Sequence, residues 1–387
     1  MFKKTRVIFY FLLILFLLSS CVNNAPHNEV IESEESQINE VIESKESQID
    51  EVIESKESQI DENSSFEVHF IDVEQADAAL IIADEETMLI DGGNPEDSSR
   101  IVAYLKKLGI SKLNHLVCTH AHDDHVGGLP GALSYAKVEN VYAPKTESNI
   151  DSYMSFKEKV VAQGLTITNP IPGSSFDFGS SVVQFLGPIT ENKSDLNNTS
   201  IVLKISYGDT SFLFTGDAER EEEREIINAG YDLSATVLKV GHHGGETSTS
   251  YVFLREIMPE VAVISVGKEN NYGHPTEETL SRLRDANVKV YRTDMQGDIV
   301  IVSDGKNVVV NPSKNKNAKT ISIPDKTEKP DNDIHSNVNT YIGNSRSKKF
   351  HLPSCYSLPK EKNRVYFNSR TEAINNGFSP CGNCIVK

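Results

Sequence analysis

One six-residue segment constrains this chain more than any other. His120-x-His122-x-Asp124-His125 places three imidazoles and a carboxylate just after a strand-like apolar run, Asn114–Cys118. Unpaired imidazoles have no structural reason to crowd together. On a loop after a strand they can point at two adjacent cations, and imidazole with carboxylate suits zinc.

Two further apolar runs end in the same kind of chemistry. Phe212-Leu213-Phe214-Thr215-Gly216-Asp217 closes on a tight turn that presents Asp217. Read alone, Asp217 is the N-cap of a helix over Ala218–Ala229. Read with the histidine cluster, it is a carboxylate for two cations. Val237-Leu238-Lys239-Val240-Gly241-His242-His243-Gly244-Gly245 is a strand ending in two imidazoles. Asn271-Tyr272-Gly273-His274-Pro275 follows a strand over Val261–Val266. His274 there suits proton donation to a leaving group or binding of its oxyanion; its alternative is a loop histidine capping the next helix. Other strand candidates are Phe66–Asp72, Ala78–Ile82 and Thr87–Ile90, with an amphipathic helix over Ser98–Leu108. Two β-rich stretches, each followed by helices, predict an α/β fold, an αββα sandwich with its site at the sheet edges.

These ordered motifs resemble the metallo-β-lactamase superfamily over residues 66–311. The resemblance implies two divalent metal ions, zinc or alternatively manganese, held by His120, His122, Asp124, His125, Asp217 and one of the pair His242 and His243, with His243 preferred as the ligand and the choice left open by the sequence, and with Asp217 bridging. It implies catalytic parts for Asp124, His242 and His274, His242 contacting phosphate. The stretches His69–Asp77, Leu89–Gly93, Asn197–Leu203, His242–Gly244 and Tyr272–Pro275 are similar to the ComEC subgroup. That subgroup joins a hydrolase domain, considered a nuclease, to a many-span DNA-uptake channel. This sequence has one short apolar run, so the channel is not expected in it. Glu74 and Ala76 stand where the subgroup usually has glycine. Asn197 and Asn198 stand where many superfamily members have a ligating histidine; they are expected to bind phosphate or water and to leave the His120/His122 metal with fewer ligands.

The implied reaction is phosphodiester hydrolysis by a water whose pKa the cations lower towards 7. The implied partner is a phosphodiester such as single-stranded DNA. The alternatives are an esterase acting on choline-phosphate or another small substrate, and a surface DNA-binding adaptor with little catalysis.

The flanks carry separate instructions. Lys3, Lys4 and Arg6 precede the apolar Val7–Leu18 and then Leu18-Ser19-Ser20-Cys21. Such an apolar run is short for a membrane span. The pattern resembles a bacterial lipoprotein signal over 1–20. It implies a lipid on Cys21 and a cell-membrane protein facing outside the cytoplasm; an ordinary cleaved signal peptide and an uncleaved anchor are the alternatives. Segment 21–65 contains three copies of an 11-residue unit ending NEVIESKESQI and DEVIESKESQI. This length is three helical turns and reads as an acidic stalk, with self-association a secondary option.

Segment 312–340, rich in Asn, Lys, Asp, Ser and Pro, reads as a linker. In 341–387, His351-x₃-Cys355 and Cys381-x₂-Cys384 supply four ligands for one structural zinc. So few residues bury little core, so a metal staple is expected. A Cys381–Cys384 disulfide with Cys355 free is the alternative. The module resembles the zinc domain of Ada. His351 replaces Ada's methyl-accepting cysteine, so methyl transfer is not implied. The net charge of −18 argues against a basic sheath around nucleic acid. Lys348, Lys349, Lys360, Lys362, Arg364 and Arg370 make the C-terminal module the basic exception.

Overall fold

Strand residues alternate between two cores. Phe66, Val68, Phe70, Ile81, Met88 and Ile90 enter one apolar cluster, whereas Leu80 and Leu89, of opposite parity, enter another. This is the period-two signature of strands buried on both faces. The computed structural model describes residues 65–146, 148–191, 193–321, 341–351, 358–367, 373 and 376–381. The signal segment with Cys21, the acidic repeats, Cys355, Cys384 and Arg370 lie outside the described residues.

The first sheet contains β1 (Phe66–Phe70), β2 (Ala79–Ala83), β3 (Glu86–Ile90), β4 (Lys112–Val117), β5 (Lys137–Tyr142) and β6 (Ile167–Thr168). The second contains β7 (Ser175–Phe178), β8 (Ser181–Gly187), β9 (Val202–Tyr207), β10 (Thr210–Phe214), β11 (Val237–Lys239), β12 (Val261–Ile264) and β13 (Lys289–Arg292). β14 (Ile299–Ser303) and β15 (Val308–Pro312) return to the first sheet, whose order is β15-β14-β1-β2-β3-β4-β5-β6. The second runs β13-β12-β11-β10-β9-β8-β7.

Phe66, Phe70, Phe212 and Phe214 interlock between the sheets, and burying each such ring contributes about 1.5–3 kcal/mol. Helices α1 (Ser98–Lys107), α2 (Asp123–Val126), α3 (Leu129–Tyr135) and α4 (Asp151–Ala162) lie on the first sheet's side. Helices α5 (Arg220–Ala229), α6 (Tyr251–Ile257) and α7 (Glu277–Asp285) cover the second. The result is the expected α/β sandwich with helices outside both sheets.

Strand direction positions the site. β3, β4 and β5 are mutually parallel, as are β10, β11 and β12. The loops leaving their C-terminal ends carry Asp91, His120–His125, Asp217, His242–His243 and His274.

Two expected boundaries shift. α5 begins at Arg220 with Glu219 as its N-cap, so Asp217 does not cap it. α7 is capped by Thr276, whose hydroxyl accepts from the Thr279 N–H, so His274 is not a cap. Packing on the two-sheet sandwich also continues into the segment read as a linker, where buried Thr320 donates through Oγ1 to the Val290 carbonyl at 2.6 Å.

A third sheet comprises β16 (Tyr341–Asn344), β17 (Lys349–His351), β18 (Arg364–Phe367) and β19 (Ser379–Pro380), ordered β18-β16-β17-β19. Tyr341, Phe350, Phe367 and Phe378 form its small core. The parallel pair Phe350↔Pro380 brings His351 and Cys381, each one residue further along, onto adjacent strands, and both are buried. Tyr251 of α6 packs against this core, and both its hydroxyl and that of Tyr341 donate to Asp285 Oδ2, at the end of α7. Among the described residues no helix is long and apolar enough to cross a membrane.

Candidate metal centre

Backbone geometry aims the ligands. Gly216 has φ 50°, and a Cβ there would lie 2.9 Å from Ser200 Oγ and 3.0 Å from Thr119 Cβ. Only glycine lets the turn after β10 pass so close while presenting Asp217. After β11, His242 and His243 are both left-handed, at φ 49° and 51°. Non-glycine residues rarely hold that conformation, which persists where surrounding contacts over-determine it.

Asp124, His125, Asp217 and His243 each offer a ligand atom, all within 4.8 Å of one another. His125 Nε2 is 3.3 Å from Asp217 Oδ1, and His243 Nε2 is 3.2 Å from Asp124 Oδ2. His120 and His122 lie beside this group. His120 Nε2 is 2.9 Å from His122 Nδ1 and 3.9 Å from Asp217 Oδ2. The other five residues expected to ligate are thus gathered around Asp217. His242 and His274 form the rim: His242 Nε2 is 3.9 Å from Asp217 Oδ2, and the two rings meet edge to face at 5.3 Å.

The residues fit a cation. His125 Nε2 and Asp217 Oδ1 are fully buried and lack a hydrogen-bond partner, an arrangement that is costly unless a metal satisfies both. Hydrogen bonds on the far ring nitrogens set the tautomers. His125 Nδ1 donates to Asp91 Oδ2 at 2.9 Å, and His243 Nδ1 donates to the Ser265 carbonyl at 3.0 Å. With the far nitrogen committed as the donor, each imidazole in its neutral, ligating form turns an Nε2 lone pair towards the cluster. Asp91 is itself held by the Thr119 N–H and hydroxyl, both at 2.7 Å.

Charge is concentrated here. Burial alone would raise the Asp124 carboxyl, but His125 and His243 hold it well below the usual carboxylate range. Burial alone would lower His243, but Asp217 and Asp77 push it up to about 10. Burial, then the neighbouring His242 and His243, lower His274 to about 4.

Several residues of the centre were not anticipated. Asp77, from the loop between β1 and β2, forms a second acidic group with Asp91 and His125. Its Oδ2 is 2.7 Å from Lys239 Nζ and its Oδ1 is 3.3 Å from His243 Nδ1. Glu219 Oε1 braces His242 Nδ1 at 3.3 Å. The Asn pair has contacts within the fold. Asn198 Oδ1 accepts the Glu219 and Glu222 N–H groups at the start of α5, so that oxygen is committed to the fold. Asn197 Nδ2 donates to Glu219, one layer behind His242. It is Ser200 that reaches the ligands, its Oγ accepting the Asp217 N–H at 3.0 Å and lying 3.3 Å from His120 Nδ1.

Comparison with known proteins agrees with this fold. The family model described as the metallo-beta-lactamase superfamily matches residues 71–268, and that of the metal binding domain of Ada matches residues 331–385. The chain is 32% identical over 255 residues to ComE operon protein 3 of Bacillus subtilis, covering 61% of this chain and 33% of that protein. It is 32% identical over 230 residues to competence protein ComA of Neisseria gonorrhoeae, covering 58% and 30%. It is 30% identical over 241 residues to recombination protein 2 of Haemophilus influenzae, covering 61% and 28%. It therefore spans about a third of the length of these relatives. The chain belongs to the metallo-β-lactamase superfamily, as a hydrolase-fold protein related to the ComEC-like competence proteins and joined to an Ada-type zinc-binding domain.

Proposed function

We propose that the chain is a metal-dependent phosphodiesterase that acts on nucleic acid outside the cytoplasm, held at the membrane through Cys21. The observation that carries this reading is the cluster of Asp124, His125, Asp217 and His243, with unsatisfied buried ligand atoms and two more histidines on its open rim. Asp124, His125, Asp217 and His243 would hold one divalent cation, and His120 and His122, with Asp217, a second. Such cations polarise a phosphoryl oxygen and make water nucleophilic near neutral pH.

The chain's own residues supply orientation. Asp91 and the Ser265 carbonyl fix the His125 and His243 rings. His242, braced by Glu219, faces the phosphate. His274 carries a buried Nδ1 without a partner on the same rim and meets the leaving oxygen. The relationship to competence proteins supports a nucleic-acid substrate, and the basic C-terminal residues support a second contact with it. The apolar Val7–Leu18 followed by Cys21 supports the lipid anchor.

The test is turnover of single-stranded DNA, duplex DNA and bis-p-nitrophenyl phosphate by purified protein loaded with zinc or manganese, beside an Asp124→Ala control. Metal-dependent cleavage that Asp124→Ala abolishes is expected. Absence of turnover on every phosphodiester overturns the reading. DNA retention without cleavage would leave an adaptor.

A further inference from the structure

Tyr272 has no evident duty to the fold. It is a large aromatic residue, yet 72% of its surface is exposed. Burial would be the ordinary fate of such a ring, contributing about 1.5–3 kcal/mol if it were an apolar core side chain. Instead its ring lies against His274, with centroids 5.8 Å apart and planes 30° from parallel. His274 meets His242 at 5.3 Å, and His242 approaches Asp217 at 3.9 Å. An aromatic staircase thus leads from the ligand cluster to the surface, with Tyr272 as its outer step.

The step is rigidly built. Asn270 Oδ1 accepts the Tyr272 N–H at 3.1 Å and the His274 N–H at 3.0 Å. Its Nδ2 donates to the carbonyls of His274 and Gly267, at 2.6 and 2.9 Å. Gly273, at φ 73°, closes the turn. One side chain therefore knots the loop from Gly267 to His274, and Tyr272 is presented in a fixed pose with one flank on His274. Preorganisation of this kind lowers the ordering cost of binding.

Charge identifies the occupant. The chain carries a net −18, so the hydrolase lacks the excess of Lys and Arg that would grip a long polyanion. An anionic substrate must take its affinity from the cations and from contacts indifferent to charge. Base stacking on an aromatic ring is such a contact, open to unpaired bases and closed to those inside a duplex.

We propose that Tyr272 is a stacking platform for an unpaired nucleobase adjoining the phosphodiester held at the metal centre, making the substrate single-stranded nucleic acid or a nucleotide. This rests on the phosphodiesterase reading and narrows it.

The experiment measures binding by fluorescence anisotropy, using an oligothymidylate and an abasic oligonucleotide of equal length, with the full chain as wild type, Tyr272→Ala and Tyr272→Phe. The wild type binds the thymidylate more tightly. Tyr272→Ala loses roughly 5- to 150-fold of that affinity, the range of one stacked base, and leaves abasic binding unchanged. Tyr272→Phe retains the preference, since a phenyl ring stacks as a phenol does. Equal binding of the two oligonucleotides by the wild type overturns the proposal. So does an equal loss on both in Tyr272→Ala, the result expected if Tyr272 merely shields His274. Binding is read without turnover, so an inactive protein that still prefers bases sinks the hydrolase reading and leaves the platform standing.

Discussion

Lys239 Nζ lies 2.7 Å from Asp77 Oδ2, with both residues buried behind the ligand cluster. The lysine also donates to the Val240 carbonyl at 2.9 Å. Asp77 meets His243 through its other oxygen, so the ion pair steadies a candidate ligand as well as itself. Lys239→Met leaves Asp77 charged in the interior without its lysine, and breaking such a buried pair costs about 3–5 kcal/mol. Urea denaturation of metal-free protein will show the loss. Adding Asp77→Asn should restore much of it while leaving zinc affinity depressed.

Asp91 orients His125 by accepting from its Nδ1. Asp91→Asn can turn an amide N–H towards His125 Nδ1, which would move the imidazole proton to Nε2 and block the lone pair facing Asp217. Asparagine tolerates the φ of 58° at this position, so the fold should survive. Chelator competition should show metal affinity reduced roughly 10- to 100-fold. Unchanged affinity would remove Asp91 from the supporting network.

His115 predicts an acid-side weakness away from the metal centre. It stacks on Phe176 with centroids 4.5 Å apart, and burial lowers its pKa to about 4. Glu139 and Glu86 face it and favour the charged form, but burial outweighs them. The folded pKa lies below the unfolded value near 6.5, so the unfolded chain binds the proton first. Stability from this residue is intact above pH 6.5 and falls as pH drops towards 4, by up to about 3 kcal/mol. His115→Phe should flatten that part of a plot of melting temperature against pH.

Asn198 should behave as a borrowed helix cap. Asn198→Ala strands two N–H groups at the start of α5, costing about 1–3 kcal/mol. Substrate KM should be unaffected once the protein is folded. A raised KM at unchanged stability would return Asn198 to substrate binding.

These residues separate what was legible in the sequence from what was not. The gathering of the six expected ligands could be read because ligand chemistry is carried by residue type and by short spacing at strand ends. Their convergence follows from parallel strands that deliver several loops to one edge. Asp77 and Lys239 could not be read, because each is ordinary in its own segment and becomes informative only when β11 brings the pair together. Ser200 was overshadowed by Asn197 and Asn198, which look more polar but turn Nδ2 of the first to Glu219 and Oδ1 of the second to the start of α5. Asp217 as a cap failed because the chain takes two more residues to enter α5. Tyr341 opens the segment that reads as a zinc module, and nothing in its sequence context points to Asp285.

Asp285 ends α7, where a carboxylate opposes the helix dipole. It is accommodated there because Tyr251 and Tyr341 direct hydroxyl protons at it. Removing the C-terminal module would strip one of those protons away and leave a misplaced charge on the hydrolase's own helix. The frontier at Tyr341 is therefore drawn in sequence but not in thermodynamics, and the enzyme half relies on its small neighbour for part of its own cohesion.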